Sequence, residues 1–255
     1  MLSAQQIINY QSDNNHLRDR VILVTGAGDG IGKTAAITFA QAGAHLILAG
    51  RTTAKLEQVY DNIVSAGYTE PTLYPIDLEG AKDEDYDQLA VSLDQQFGRL
   101  DGLLHNAGIL GQRTPLSNYR SDVWDRVIQV NVTAQFQMTQ ALMPVLEKSE
   151  DSSVVFTSSS VGRVGRAFWG AYGVSKFAVE GLVQTWAAEL EGLSSVRINC
   201  INPGATATHM RAQAYPAENP QTIASPEQIM PAYLYLMGAD SKGISGQSID
   251  AQVKK

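Results

Sequence analysis

Seven short apolar runs recur along the chain: Val21 to Thr25, His45 to Ala49, Thr72 to Asp77, Leu100 to His105, Ser153 to Thr157, Val196 to Ile201 and Ser245 to Ile249. Each is apolar at successive positions, the pattern of a strand covered on both faces. Helical patterns begin between them near Gly30, Thr53, Asp83, Ser121, Tyr172 and Ser225, the last with Ser225 as N-cap and Pro226 at the first helical position. Strands alternating with helices of this length imply right-handed βαβ units. The expected fold is α/β: a single doubly wound, Rossmann-like domain with a seven-stranded parallel sheet and helices on both faces. Pro75 tests the strand order, because proline has no N–H to give a central ladder. The doubly wound order 3-2-1-4-5-6 puts the third strand at an edge, where proline is tolerated.

A chain of 255 residues suffices for one large core. The domain is expected to span residues 20–255, with residues 1–19, rich in Gln, Asn and Asp, forming an N-terminal surface arm. The irregular stretch 209–225, with Pro216 and Pro220, is either a substrate loop over the strands' carboxyl ends or a plain surface loop. A net charge of −7 argues against sequence-independent binding to nucleic acid or to an anionic membrane. No apolar run approaches the ~18 residues of a membrane span. The first ten residues lack the basic start and apolar stretch of a secretory signal, so a cytoplasmic location is expected. Cys200 is the only cysteine, which rules out an intramolecular disulfide, and no Cys/His cluster has metal-ligand spacing.

The first run feeds Thr25-Gly-Ala-Gly-Asp-Gly-Ile-Gly32, which opens the first helix. In that context glycines let the chain turn and bring backbone and helix N-terminus up to a pyrophosphate. Gly26, Gly28, Asp29, Gly30 and Ile31 are therefore candidate cofactor residues, on a TGxxxGxG spacing that differs from GxGxxG. The second strand ends in Ala49-Gly50-Arg51-Thr52, with no acid to take ribose hydroxyls and with Arg51 available for a 2′-phosphate. NADP is therefore favoured over NAD. Asp77 and Leu78 end the third strand beside the expected adenine, and Asn106, Ala107 and Gly108 end the fourth, where small residues permit close approach. Tyr172 and Lys176 lie four apart, on one helix face, so the ammonium can favour a phenolate whose pKa starts near ~10. Taken alone, such a pair also suits an ordinary solvated helix face.

With the Gly-rich turn, Asn106-Ala-Gly108, Asn131, Ser159, Tyr172 to Lys176 and Asn202-Pro-Gly204 in this order, the chain resembles a compact short-chain dehydrogenase/reductase. The resemblance runs from about Asp19 to Asp250. It implies hydride transfer between a nicotinamide cofactor and a carbonyl or secondary alcohol, with a small-molecule substrate. It also implies that Ser159 hydrogen-bonds the substrate oxygen, that Tyr172 is the general acid/base, and that Lys176 binds the ribose and lowers the Tyr172 pKa. Asn131 would hold a relay water, Pro203 and Gly204 would flank the cofactor, and Thr208 would meet the carboxamide. A homodimer through the helices near Asn131 and Tyr172 is implied, with a tetramer as the other assembly.

Three departures from the family pattern stand out. His105 replaces the first Asn of Asn-Asn-Ala-Gly and reads as a packed strand residue; Asp29 holds a loop position often basic in NADP users; and the finish Ser245 to Gln252 lacks Asp-Gly-Gly, which weakens the case for a tetramer. Arg163, Arg166, Phe168 and Trp169, with His209 and Met210, are candidates to wall the substrate cleft, an arrangement suited to an extended or anionic substrate; packing at a subunit surface explains the same residues. The alternative from another class is a catalytically silent module that senses nicotinamide nucleotides. Such modules usually break the Ser/Tyr/Lys set, which is intact here.

Overall fold

The computed structural model describes residues 4–13 and 15–253. In chain order its regular elements are α1 (Ala4–Ile8), β1 (Val21–Thr25), α2 (Gly30–Gln41), β2 (His45–Gly50), α3 (Thr53–Ser65), β3 (Thr72–Pro75), α4 (Asp83–Phe97), β4 (Gly102–His105), α5 (Ser121–Ile128), α6 (Ala134–Leu146), β5 (Ser153–Thr157), α7 (Gly170–Leu190), β6 (Arg197–Asn202), α8 (His209–Ala214), α9 (Met230–Met237) and β7 (Ser248–Asp250). All seven strands pair parallel in the order β3-β2-β1-β4-β5-β6-β7. The chain winds outward from β1 in one direction and from β4 in the other. A crevice therefore opens where these two strands end, the place where doubly wound sheets bind ligands.

The continuous apolar runs have the reason expected of them. In β1, Ile22 and Val24 face a layer built from α2, α3 and α9, while Val21 and Leu23 face α4, α6 and α7. Phe39, Tyr233 and Tyr235 fill the first layer, and Tyr86, Met138, Leu142 and Val179 the second. Pro75 is exposed on the edge strand. The ladder ends there, two residues short of the expected Asp77, although the Ile76 amide still donates to the Gly50 carbonyl at 3.0 Å. The helix expected at Ser225 starts as a 3₁₀ turn over Glu227–Ile229 and becomes α9 only at Met230.

Of the expected N-terminal arm, residues 1–3 and 14 lie outside the described set, and the described part is anchored on the domain. Ile7 and Leu17 are 2% and 0% exposed within the first core layer. The Leu17 amide donates to the Ala42 carbonyl at 2.9 Å, and the Tyr10 ring packs edge-on to Tyr235 at 5.4 Å with its hydroxyl on Asp240 at 2.7 Å. Polar composition hid a few apolar anchors, and two buried aliphatic residues suffice to dock a short segment. Leu17→Ala should accordingly lower unfolding free energy by about 2–5 kcal/mol, the usual range for an aliphatic side chain deleted from a packed core. Urea unfolding measures this. A change below ~0.5 kcal/mol, typical of surface positions, would restore the surface-arm description.

Candidate functional site

A cleft of about 660 Å³ occupies the crevice. The turn after β1 forms its floor because Gly26 adopts φ 65° and sits where a Cβ would meet the Ala107 Cα at 3.0 Å. Thr25 ties this turn to the end of β4: its Oγ1 accepts from the Asn106 and Ala107 amides at 3.0 and 3.1 Å. Gly28, Asp29, Gly30 and Ile31 line the cleft with Gly26, at the N-terminus of α2. Gly32 instead packs beneath, where a Cβ would run into the Gly26 carbonyl and the Asn106 side chain. A concave, Cβ-free backbone at a helix N-terminus fits a pyrophosphate. Asn106, Ala107, Gly108, Pro203, Gly204 and Thr208 complete the far wall.

The outer end carries the charge. Arg51 lines the cleft, is exposed, and makes no ion pair among the described residues. Lys55, one helical turn on in α3, also lines it and grips Asp29 at 2.6 Å. The Lys55 hydrogen bond comes first among the causes that hold the Asp29 carboxyl below the usual carboxylate range. Sequence reasoning noticed the acid and missed the base that neutralises it. The spacing from Arg51 to Lys55, one turn across a helix start, was the available signal. Asp77 and Leu78 line this end too, followed by Glu79, which pairs with Arg126 at 2.7 Å.

At the inner end, β5 delivers Ser159 and α7 delivers Tyr172 and Lys176. They meet because Gly162 lets α7 press onto the turn after β5: a Cβ there would lie 2.7 Å from the Lys176 carbonyl oxygen. Tyr172 is 8% exposed. Burial pushes its phenol up to about 12, against a smaller opposing effect from a hydrogen bond with Ser159. Lys176 is likewise buried, and burial brings its ammonium down to about 8. Its Nζ donates to the Thr157 carbonyl at 2.6 Å and lies 5.6 Å from the centre of the Tyr172 ring. The expected depression of the Tyr172 pKa by Lys176 does not emerge: desolvation raises the phenol, and the opposing effect comes from Ser159.

Asn131 does not line the cleft. It sits in a π-helical turn, Gln129–Thr133, between α5 and α6, a local widening often found at functional sites. Its side chain is fully engaged: Oδ1 accepts from the Ile109 amide at 2.8 Å, and Nδ2 donates to the Ile109 carbonyl and to Ser175 Oγ at 3.0 and 3.1 Å. Asn131 thus clamps the loop after Gly108 to α7. His105 packs as expected, stacked on Phe156 at 4.6 Å with Nε2 2.7 Å from Thr139 Oγ1. Burial pushes its pKa down to about 3, so the ring is neutral.

Of the residues expected to wall the substrate end, Trp169, His209 and Met210 line the cleft and Arg163, Arg166 and Phe168 do not. Arg163 turns away to Asp250 at 2.5 Å and Ser248 Oγ at 2.6 Å. Phe168 is 55% exposed, on a backbone at φ 69° that aims it off the cleft. The segment 209–225 is partly helical, with α8 inside it, and begins at the cleft. Among the described residues no group of His, Cys, Asp and Glu could hold a metal ion, and no helix is long and apolar enough to cross a membrane.

The family model of the short chain dehydrogenases matches residues 20–219. The uncharacterized oxidoreductase YciK of Escherichia coli K12 is 51% identical over 96% of each chain. A short chain dehydrogenase structure from Pseudomonas syringae superposes with a TM-score of 0.93 at 54% identity, over 99% of this chain and 100% of the other. One from Escherichia coli CFT073, complexed with NADPH, has a TM-score of 0.92 at 51% identity, over 95% and 100% of the two chains. With glycine turn, serine, tyrosine and lysine converging on one crevice and relatives matching nearly end to end, the chain belongs to the short chain dehydrogenase family.

Proposed function

We propose that this protein is an NADP-dependent oxidoreductase that interconverts a carbonyl and a secondary alcohol. The observation that carries the proposal is one cleft with Ser159, Tyr172 and Lys176 at its inner end and the unpaired Arg51 at its outer end. The NADPH complex of a relative 51% identical supports the choice of coenzyme. Arg51 and Lys55 would hold the 2′-phosphate, the turn from Gly26 to Ile31 the pyrophosphate, and Lys176 the inner ribose. The cofactor, when bound, supplies or accepts the hydride.

In the reductive direction Ser159 donates a hydrogen bond to the carbonyl oxygen and Tyr172 gives it a proton, so that hydride plus proton make the alcohol. A phenol held near 12 by burial is protonated at neutral pH, ready for that step. Lys176, near 8, lies beside the ring and can return the proton from solvent. Because the Asn131 side chain is committed to Ile109 and Ser175, a relay water would have to bind a backbone group of its π turn. We further propose a cytoplasmic enzyme that forms a homodimer, in keeping with Phe136, Val174 and Phe177 left exposed on α6 and α7.

The test is consumption of NADPH absorbance with a panel of neutral aldehydes and ketones, alongside direct binding of NADPH. Turnover of at least one carbonyl with matching alcohol product is expected. Tight NADPH binding with no consumption across a broad panel would leave a nucleotide-sensing module instead.

A further inference from the structure

The two ends of the cleft spend their charges differently. Of the cations lining it, Lys55 is paired with Asp29, Arg126 with Glu79, and Arg211 with Glu218. Among the described residues, of these lysines and arginines only Arg51, at the coenzyme end, and Lys176, at the inner end, lack a carboxylate partner. Arg211 is the one cation lining the substrate end, and it is committed. Its guanidinium forks onto both oxygens of Glu218 at 2.6 Å and lies 3.8 Å over the Tyr215 ring. His209 and Gln213, one turn apart on α8, lie 3.0 Å from each other, Nε2 to Nε2. Arg113 stays outside the lining, stacked over Trp169 and Tyr215 at 4.5 and 5.0 Å, with Nη1 on the Ala214 carbonyl.

An apolar cluster packs with Tyr172: Leu110, Trp169, Ala214 and Met210, which line the cleft, backed by Val161 and Tyr215. Resting on the carbonyl reductase reading above, we infer that this pocket takes an uncharged carbonyl compound whose flanking group is apolar, aryl or alkyl, and rejects one whose flanking group carries a carboxylate. An aryl group gains contact with the faces of Trp169 and Met210. A carboxylate in the same place sheds its water and meets no cation lining the cleft that is free to pair, because Arg211 is held by Glu218 and Lys176 is bound to the Thr157 carbonyl and reserved for the ribose; Arg113 lies outside the lining, stacked on Trp169. The anionic substrate suggested by two arginines in the sequence loses its basis, because Arg163 is turned onto Asp250 and Arg166 is exposed off the cleft.

The experiment compares matched pairs with NADPH: acetophenone against para-acetylbenzoate, and benzaldehyde against para-carboxybenzaldehyde. The neutral member of each pair should have a kcat/KM at least ~30-fold higher, chiefly through KM, because the unpaired charge opposes binding before chemistry begins. Glu218→Gln should release Arg211 and narrow that gap ~3- to 10-fold by improving only the carboxylate member. Trp169→Ala should raise KM for benzaldehyde more than for acetaldehyde. Carboxylates turned over as well as their neutral partners would overturn the inference and leave the oxidoreductase reading standing. If none of the four is turned over, their binding to the NADPH complex, followed by tryptophan fluorescence, decides: tighter neutral members uphold the inference, and equal or tighter carboxylates sink it.

Discussion

Tyr172→Phe should reduce kcat by at least ~10²-fold, the usual cost of a lost general acid, while NADPH binds as before. The substitution removes one hydroxyl and keeps the ring that packs against Trp169 at 5.5 Å and lies above Lys176. Nothing in the cluster of Leu110, Val161, Trp169 and Ala214 depends on that hydroxyl, so the variant should fold. Ser159 would lose its partner there but keeps the Val161 amide at 3.5 Å and faces the cleft. The loss should appear in kcat and kcat/KM together, since proton transfer belongs to the transition state and not to substrate binding. Rate on a carbonyl established for the parent, with coenzyme affinity measured separately, checks this. A variant retaining more than about a tenth of parental kcat would remove Tyr172 from the role of acid, whatever the family pattern suggests.

The sheet was legible because a buried parallel strand leaves a direct trace. Five consecutive apolar or small residues, as in Val21 to Thr25, answer to a core on each face. Pro75 announced an edge for a similarly local reason. The inner site was legible in two ways: spacing put Tyr172 and Lys176 on one helix face, and the family resemblance singled out Ser159, which lies two residues past the end of β5. What escaped were contacts that depend on where distant segments meet. Nothing near Arg163 in the chain reveals that Asp250, 87 positions on, will claim it. The same holds for Arg211, whose partner Glu218 is close in sequence but takes it only because the loop folds back after α8. Leu17 was hidden by polar neighbours, and its burial comes from the first core layer and the turn at Ala42, both remote in sequence. The direction of the Tyr172 shift was hidden for a related reason: the spacing to Lys176 is written in the sequence, whereas the burial that raises the phenol is a property of the whole fold.

The coenzyme end gives the other large effect. NADPH should bind ten- to a hundredfold more tightly than NADH, because a charge-assisted guanidinium–phosphate contact is worth roughly 1.5–3 kcal/mol. From the sequence, Asp29 argued for the lower half of that range. In the structure Lys55 holds Asp29 at 2.6 Å, so the acid arrives with its own counter-charge and the discount shrinks. Both side chains of that pair are about half exposed, at 50% and 58%, so the contact is screened and the preference should fall as salt rises. Arg51→Ile should remove most of the discrimination by weakening NADPH alone. Lys55→Ala should weaken NADPH by a smaller factor, because its charge is shared with Asp29. Adding Gly50→Asp to Arg51→Ile should invert the choice, since a carboxylate accepts the ribose hydroxyls and repels a phosphate. The new side chain must displace the Leu56 methyl, which a Cβ at Gly50 would approach to 3.3 Å, so the single Arg51→Ile variant serves as the control for packing. Titration of both reduced coenzymes against parent and variants settles the matter. Equal dissociation constants in the parent, or an Arg51→Ile variant with undiminished preference for NADPH, would assign the phosphate to a different part of the cleft.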